Sequence, residues 1–368
     1  MTRFVANLEI AEREGASTER KDKVDDKMNR HNPEVLAEAS RQVRRSAPLC
    51  RATTGAVSRV AIFGIAILGV VSGTVLGVIG NSSPTQAMRD PAAPATNFAR
   101  VFPVDGHGVY VQCVGRGSPT IVLISGAGVS SASWDYVGDT NGSTNPPMKS
   151  PAAVEPQLAK VTRVCSYDRP GTSGFDDSPS RSTPVAQPTT AQGDARTLHD
   201  ALTVAGVASP YVLVAHSWGG FIATTYERLY RNQMAGMVLI DPGSQYLQTV
   251  LSPDVWDSWM RAITEAGTKN PGAEQPDYPA SIAFLATLPK ANKVPSVVLT
   301  SDKPIDFLGI GDAPKYHPHW VKAQYLLARS LHGKQITKTE SGHFIQTENP
   351  ALVIAQTKAI LNAVKAVN

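Results

Sequence analysis

The chain has 368 residues, of which 42% are hydrophobic and 18% charged, a balance typical of globular proteins that excludes a wholly disordered chain. Its formal net charge of +4 lies mostly at the N-terminus, because residues 1–59 hold 12 Lys or Arg against 9 Asp or Glu. The rest of the chain holds 23 against 22, which excludes the basic surface of a nucleic-acid-binding protein.

The N-terminal 80 residues divide into a polar and an apolar part. Residues 1–59 mix charges of both signs with few large apolar groups, which predicts a disordered tail. Residues 60–80 carry no charge over 21 positions, and this length predicts one transmembrane helix. The excess of arginine on the N-terminal side of the span places the tail in the cytoplasm and the following domain outside it. These arginines are Arg41, Arg44, Arg45, Arg51 and Arg59.

The apolar span could be retained as a membrane anchor or removed as a signal peptide. We favour a retained signal anchor, because a 59-residue region before the span and a 21-residue apolar core both exceed the usual dimensions of a cleaved signal peptide. The alternative is secretion after cleavage near Ala87, where small residues end the segment P-T-Q-A. Gly69, Gly73 and Gly77 form a strip on one face of the helix, against which the helix of a second copy could pack as a homodimer.

Residues 81–97 are rich in Pro, Ala and Ser and are expected to form a linker that precedes a folded domain at 98–368. Strand and helix signals alternate in this domain after an initial hairpin, which predicts a mostly parallel sheet with helices on both faces. The strands are expected at 98–104, 109–114, 120–125, 162–167, 211–215, 236–240, 296–300 and 334–339, and the helices at 191–204, 218–231 and 351–367. Residues 243–293 are too long for a simple crossover, so we interpret them as a small helical cap over the active site.

The segment 211–221, Y-V-L-V-A-H-S-W-G-G-F, is the most informative stretch of the chain. An apolar run ends at Ser217 and a glycine pair opens a helix directly after it. Ala215 and Gly219, two residues before and after the serine, are small enough for the sharp turn of a nucleophile elbow. A serine at this position needs a histidine as base and a carboxylate to orient that histidine, and both residue types occur downstream.

Together the motifs of residues 98–368 resemble the α/β-hydrolase superfamily, and within it the bacterial Y-D-R-x-G hydrolases. The resemblance rests on V-L-I-S-G-A-G at 122–128, Y-D-R-P-G-T-S-G at 167–174, A-H-S-W-G at 215–219, V-L-I-D-P at 238–242 and S-G-H-F-I-Q-T-E-N-P at 341–350. It implies the α/β-hydrolase fold, with the order Ser, acid, His along the chain. Two departures from the family pattern are Ser125, where a histidine is common, and the absence of G-x-x-D after Thr300.

The resemblance assigns expected roles to four residues near the elbow. His343, which follows the last strand, would be the base that accepts the serine proton. The backbone N–H groups of Trp218 and Ala127 would form the oxyanion hole. Trp134 is a candidate for the wall of the acyl pocket, with packing in the core as an equally good alternative.

Two aspartates compete for the role of the acid. Asp302 follows the strand at which most α/β-hydrolases place their acid, but it stands one residue past Ser301 rather than three. Asp241 ends the preceding strand in L-I-D-P, a position that lipases with an earlier acid use. We favour Asp241 and keep Asp302 as the alternative.

Of the three cysteines, Cys113 and Cys165 fall on the exported side of the predicted span, where disulfides persist, while Cys50 falls on the cytoplasmic side. The resemblance implies that strands 109–114 and 162–167 are neighbours. We therefore expect a disulfide between Cys113 and Cys165, provided that the two residues face one another across the strands.

These observations predict a serine hydrolase that cleaves small carboxylic esters through an acyl-enzyme, held at the membrane by residues 60–80. The alternatives are an amidase or aminopeptidase of the same fold and an inactive, membrane-anchored interaction module. No cofactor is expected. No metal is expected either, because His317 and His319 lack further ligands around them in the sequence.

Overall fold

The computed structural model describes residues 97–367, apart from 141–144, 307–308 and 310–311. The predicted tail 1–59, the predicted membrane span 60–80 and residues 81–96 of the predicted linker lie outside the described residues. Within the part of the chain that is described, no helix is both long and apolar enough to cross a bilayer.

The described residues form ten strands. They are β1 Phe98–Val104, β2 His107–Val114, β3 Thr120–Ile124, β4 Tyr136–Val137, β5 Met148–Lys149, β6 Val164–Tyr167, β7 Tyr211–His216, β8 Met234–Ile240, β9 Ser296–Leu299 and β10 Lys334–Ile336. The main sheet has the order β1-β2-β6-β3-β7-β8-β9-β10, and β4 pairs with β5 outside it. The pairs β1–β2 and β2–β6 are antiparallel and the other neighbouring pairs of the main sheet are parallel. The prediction of a mostly parallel sheet after a hairpin is confirmed.

The helices lie between and after these strands. They are α1 Val154–Leu158, α2 Ala191–Val204, α3 Trp218–Leu229, α4 Tyr246–Val250, α5 Pro253–Lys269, α6 Tyr278–Thr287, α7 Ala313–Ser330, α8 Ile345–Glu348 and α9 Pro350–Val367. Side chains cap two of the N-termini. The Thr190 hydroxyl accepts a hydrogen bond from the backbone N–H of Gly193 at the start of α2, and the Asp277 carboxylate accepts one from Ala280 at the start of α6.

Both faces of the sheet are buried. Successive side chains of a strand point to opposite faces, so neighbouring residues of one strand belong to different apolar clusters. In β3, Val122 and Ile124 belong to one apolar cluster, while Ile121 and Leu123 belong to another. Buried residues of α2, α3 and α7 complete the first cluster, and those of α1, α8 and α9 complete the second. Such runs of fully buried residues explain why the parallel strands are apolar throughout rather than alternating.

The direction of the parallel strands determines where polar residues gather. The carboxyl ends of β3, β7, β8 and β9 meet at one edge of the sheet, which is where ligands bind in open α/β folds. Ser125, Ser217, Asp241 and Thr300 are the residues that directly follow these four strands.

Helices α4, α5 and α6 lie in the connection between β8 and β9, the stretch 243–293 that the sequence interprets as a cap. Three of its aromatic side chains are buried: Trp256, Trp259 and Tyr278 are each 6% exposed. The ring of Tyr278 lies 4.9 Å from that of Trp218, so the insertion packs directly on the first turn of α3.

Cys113 of β2 and Cys165 of β6 are joined by a disulfide. The two residues stand directly opposite each other in the antiparallel pair, with Cα atoms 4.1 Å apart. This separation is typical of the closely spaced, non-hydrogen-bonded positions of an antiparallel ladder. The sequence could not decide which residues of the two strands face each other, and the observed pairing of Cys113 with Cys165 allows the disulfide.

One long helix differs from the sequence prediction, which left residues 301–333 unassigned. Helix α7 spans 18 residues there although Pro318 lies inside it. The proline removes one backbone hydrogen bond and masks the helical pattern. Burial of Trp320, Gln324 and Leu327, which share one face at helical spacing, stabilises the helix against the sheet.

Candidate active site

Ser217 sits at the turn between β7 and α3 in a strained backbone conformation. Its φ is +52° and its ψ is −118°, values that L-residues adopt only when their surroundings impose them. Three backbone hydrogen bonds fix the turn: the N–H of Ser217 donates to Ile240, while those of Gly220 and Gly243 donate to the Ser217 carbonyl. The side chain of Ser217 is thereby held at the carboxyl edge of the sheet and stays partly exposed.

The close approach of α3 to β3 explains the glycine after the elbow. A Cβ at Gly219 would lie 2.5 Å from the carbonyl oxygen of Ile124 and 2.7 Å from that of Ser125. Both distances are shorter than any real contact of a methyl group with a backbone oxygen, so only glycine fits. The same contact holds the elbow against the loop that follows β3.

His343 lies in the loop between β10 and α8 and contacts Asp241, the residue directly after β8. The Nδ1–H of His343 donates to Oδ2 of Asp241 at 2.7 Å, and this hydrogen bond requires the tautomer whose Nε2 is free to accept a proton. The Asp241 side chain is fully buried, while that of His343 is 19% exposed. Among the described residues the imidazole of His343 is hydrogen-bonded to the Asp241 side chain and not to the Ser217 hydroxyl.

The other oxygen of Asp241 is fully satisfied by the protein. Oδ1 accepts hydrogen bonds of 2.9 Å each from the Ser301 backbone N–H, the Trp320 indole and the Gln324 side-chain amide. Burial by itself would raise the pKa of this carboxyl, but the hydrogen bonds from His343, Ser301 and Trp320 hold it below its ordinary value. Asp241 is therefore a buried carboxylate that stays ionised beside the histidine.

Asp302, the alternative acid, has a different set of partners. Its carboxylate accepts hydrogen bonds from the backbone N–H groups of Thr339, Glu340 and Ser341, at 3.1, 2.9 and 3.0 Å. These residues form the turn that leads to His343, but Asp302 does not contact the imidazole. The structure thus brings Asp241 to the imidazole, whereas Asp302, which follows β9, is hydrogen-bonded to the loop that carries His343.

His216, the residue before Ser217, is a second imidazole at the site. Its Nε2–H donates to the His343 carbonyl at 2.9 Å, and the two ring centroids lie 4.6 Å apart. Burial, with the neighbouring His343, lowers the pKa of His216 well below its ordinary value, so the ring is neutral at pH 7. This hydrogen bond ties the loop of His343 to the end of the nucleophile strand.

The residues expected to form the oxyanion hole lie on the two segments that meet at Ser217. Trp218 is the first residue of α3, and Ala127 lies in the loop after β3. Among the described residues neither backbone N–H is paired with a backbone acceptor. The loop after β3 lies close to Ser217, because a Cβ on Gly126 would lie 3.1 Å from Cβ of Ser217.

Both tryptophan side chains near the elbow are buried in the core. Trp134 is 1% exposed and its indole donates to the Ser125 hydroxyl at 2.9 Å, so its burial supports the packing alternative rather than a pocket wall. The indole of Trp218 donates to Asp194 at 3.2 Å. Burial, together with nearby Glu274, raises the pKa of Asp194 to about 7.

In the described part of the chain, no group of three or more His, Cys, Asp or Glu side chains could hold a metal ion.

With this geometry established, comparison with known proteins gives the family. Residues 121–356 match the model described as "Alpha/beta hydrolase family". The chain belongs to this family. The match runs from β3 into the first two turns of α9 and so includes the elbow, both aspartates and His343. Membership of the alpha/beta hydrolase family supports a hydrolytic activity in general terms.

Individual relatives of this alpha/beta hydrolase are remote. It is 36% identical over 91 residues to an uncharacterised protein of Schizosaccharomyces pombe, a match that spans 25% of this chain and 16% of that protein. The chain covers 16% and 18% of the lengths of the two curated relatives that it matches. Solved structures with similarity include carboxylesterase CesB of Bacillus subtilis, with a TM-score of 0.47 and 15% identity over 73% of this chain and 92% of that one. A thermophilic esterase of Thermogutta terrifontis has a TM-score of 0.48 and 18% identity over 73% and 99%.

Several residues that shape the site were not found from the sequence. Trp320 and Gln324 donate to Asp241 from a helix that the sequence did not predict, although their spacing of four residues was a usable signal. Glu274 was not found either: it pairs with Arg169 of the Y-D-R-P-G-T-S-G motif and contacts the loop after β3, but partners 105 positions apart leave no local pattern in the sequence.

Proposed function

We propose that this alpha/beta hydrolase is a serine hydrolase that cleaves carboxylic esters through an acyl-enzyme intermediate. The observation that carries the proposal is the hydrogen bond from His343 to the buried Asp241 at the sheet edge where the strained elbow presents Ser217. The residue types, their order along the chain and their common location are those of a nucleophile, a base and an orienting acid.

In the first step, Oγ of Ser217 attacks the ester carbonyl carbon and its proton passes to Nε2 of His343. The new C–O bond pushes the carbonyl electron pair onto oxygen, and the N–H groups of Trp218 and Ala127 stabilise that negative charge. Asp241 holds the ring in the required tautomer and stabilises the imidazolium that forms. A buried, ionised carboxylate suits this role, because it needs no proton during the reaction.

In the second step, the tetrahedral intermediate expels the alcohol, which takes the proton from His343. Water then enters the site and attacks the acyl-enzyme carbonyl, giving its proton to the same nitrogen. Collapse of the second intermediate returns the proton to Ser217 and releases the carboxylic acid. Every proton therefore moves through Nε2 of His343, the nitrogen that Asp241 leaves free.

Active-site labelling tests the proposal directly. A fluorophosphonate probe is expected to label the wild-type protein at Ser217 and to leave Ser217→Ala unlabelled and without esterase turnover. Ser244→Ala is the matched control, because Ser244 is a buried serine close along the chain whose hydroxyl has no partner among the described residues. Labelling of Ser217→Ala at the wild-type level would overturn the proposal.

Ester cleavage is distinguished from amide cleavage by substrate choice. The same arrangement of residues can hydrolyse amides, so p-nitrophenyl esters and aminoacyl anilides should be compared on one enzyme preparation. We expect turnover of the esters to exceed that of the anilides. Preference for the anilides would assign the protein to amidases or aminopeptidases while leaving Ser217 as the nucleophile.

We also propose that residues 60–80 anchor the protein with its catalytic domain outside the cytoplasm. The uncharged span and the arginines before it support this orientation, and the disulfide between Cys113 and Cys165 fits an oxidising compartment. Protease added once the outer barrier is opened should digest the catalytic domain and spare the N-terminal tail. Full-length protein in the soluble cytosol would exclude the anchor, and mature protein that begins near Met88 would favour cleavage.

A further inference from the structure

A buried ion pair lies behind the loop that follows β3. Nε of Arg169 contacts Oε1 of Glu274 at 2.5 Å, and Nη2 contacts Oε2 at 3.1 Å. The exposed fractions of the two side chains are 2% and 1%. Arg169 follows β6, whereas Glu274 comes from the insertion between α5 and α6. Burial of two charges costs free energy, so such a pair is weak evidence for stability and stronger evidence for a fixed geometry.

Both members of this ion pair also form hydrogen bonds to one short stretch of backbone. Nη1 of Arg169 donates to the Ser125 carbonyl at 2.9 Å, and Nη2 donates to the Gly126 carbonyl at 2.6 Å. Oε2 of Glu274 accepts a hydrogen bond from the Gly128 N–H at 2.7 Å. The two charged groups therefore hold the backbone on both sides of Ala127.

Peptide geometry links these bonds to the direction of one N–H group. The Gly126 carbonyl and the Ala127 N–H belong to the same peptide unit, which is planar and trans, so they point in opposite directions. By holding the carbonyl on the side of Arg169, the ion pair turns the Ala127 N–H to the other side. That N–H is one of the two expected donors to the oxyanion.

The insertion is also attached to the body of the domain at Glu274 itself. The Glu274 N–H donates to the Gly171 carbonyl at 3.0 Å, and the neighbouring Gln275 accepts from the Thr189 N–H at 3.0 Å. These backbone contacts fix the position of the Glu274 carboxylate. Glu274 therefore both attaches the insertion to the domain and, through Arg169, holds the loop after β3.

We infer that Glu274, acting through Arg169, is a positioning residue that aims the Ala127 N–H at the oxyanion and makes this donor depend on the docked insertion. The inference rests on the proposed esterase mechanism, in which the tetrahedral oxyanion needs that donor. Neither side chain touches the reacting atoms. Loss of the pair should therefore weaken stabilisation of the transition state without weakening binding of the ester.

The test compares Glu274→Gln with Glu265→Gln, which makes the same change at an exposed position of α5 in the same insertion. For Glu274→Gln we expect kcat on a p-nitrophenyl ester to fall by about 10²–10³, the effect of losing one oxyanion donor, with KM changed less than threefold. The affinity for phenylboronic acid, which forms a tetrahedral adduct with serine, should fall in parallel. Glu265→Gln should leave all three quantities unchanged.

A second variant separates positioning from stability, because Glu274→Gln leaves a buried arginine without its charge partner. The double substitution Arg169→Met with Glu274→Leu removes both charges and should restore the melting temperature. The inference holds if kcat stays low in this thermally stable variant. It fails if kcat returns with the melting temperature, or if Glu274→Gln folds and keeps wild-type kcat. Absence of turnover and labelling in the wild type would instead refute the proposed function.

Discussion

Oδ2 of Asp241 lies 2.7 Å from Nδ1 of His343, so two residues 102 positions apart in the chain meet at the carboxyl edge of the sheet. The position of the Asp241 carboxylate is fixed further, because its Oδ1 accepts three hydrogen bonds. The φ of Asp241 is +41°, a positive value that aspartate adopts more often than most other residues. Positive φ values also occur away from the site, at Asp105, Asp177, His332 and Glu340.

This relationship predicts unequal effects of replacing the two aspartates by asparagine. Asp241→Asn offers the imidazole an amide in place of a carboxylate, which disfavours the required tautomer and removes the charge that stabilises the imidazolium. We expect kcat to fall by about 10⁴. Asp302→Asn should change kcat by less than about tenfold, because Asp302 only supports the turn before His343.

Steady-state kinetics on a p-nitrophenyl ester, with melting temperatures to confirm folding, would measure both effects. A collapse of kcat in folded Asp302→Asn, with activity retained in Asp241→Asn, would show that the acid follows β9 instead.

Removal of the disulfide between β2 and β6 is expected to lower the stability of the protein without changing its catalytic rate. It closes a loop of 52 residues, and in the chain-entropy model the loss of this cross-link costs about 4 kcal/mol. The double variant Cys113→Ala with Cys165→Ala should unfold at lower denaturant concentration, while kcat of its folded fraction stays at the wild-type level. A reducing agent should lower the stability of the wild type alone. Equal midpoints for oxidised wild type and the double variant would contradict the prediction.

The sequence located the parts of the site that depend on local geometry. The small residues around Ser217 predicted the elbow because the turn excludes side chains, and buried strands were visible as apolar runs. The choice between Asp241 and Asp302 depended on which carboxylate reaches His343 across the sheet, a relation of tertiary structure. Glu274 gave no signal for the same reason, since an isolated glutamate in an insertion has no pattern that predicts its buried partner.

The tight contact between α3 and β3 predicts that alanine is not tolerated at Gly219. A Cβ there would lie within 2.7 Å of two backbone oxygens, and neither oxygen can move without displacing β3 or the loop after it. We expect Gly219→Ala to lower the free energy of unfolding by about 1–3 kcal/mol and to abolish most esterase activity. Denaturant titration and kinetics measure the two effects.

Gly193→Ala is the control for this prediction, since it makes the same change in the first turn of α2. Its Cβ would meet only the Thr190 hydroxyl, at 3.4 Å. Alanine is the better helix former, so this variant should keep or gain stability, by up to about 1 kcal/mol. Equal stability and activity of the two variants would show that the elbow does not require glycine.

A buried glutamate that is not part of the proposed site predicts how stability depends on pH. Glu155 of α1 is 2% exposed, and one of its carboxyl oxygens accepts a hydrogen bond from the Gln112 amide at 2.8 Å. Burial, with the nearby charge of Asp135, raises the pKa of Glu155 from 4.5 to about 7. The folded state therefore binds a proton that the unfolded state releases over the interval between these two values.

Because the pKa of Glu155 is higher in the folded state, its contribution to stability is fully present below pH 4.5 and is lost as the pH rises to about 7. The loss is on the order of 3 kcal/mol. Glu155→Gln, which keeps the shape without the titration, should be closest in stability to the wild type at pH 4.5 and gain on it up to pH 8. Denaturant midpoints across this range, with Glu265→Gln as the exposed control, measure the effect. A constant difference between Glu155→Gln and wild type at all pH values would mean that Glu155 stays ionised in the folded protein, and that the hydrogen bond from Gln112 outweighs its burial.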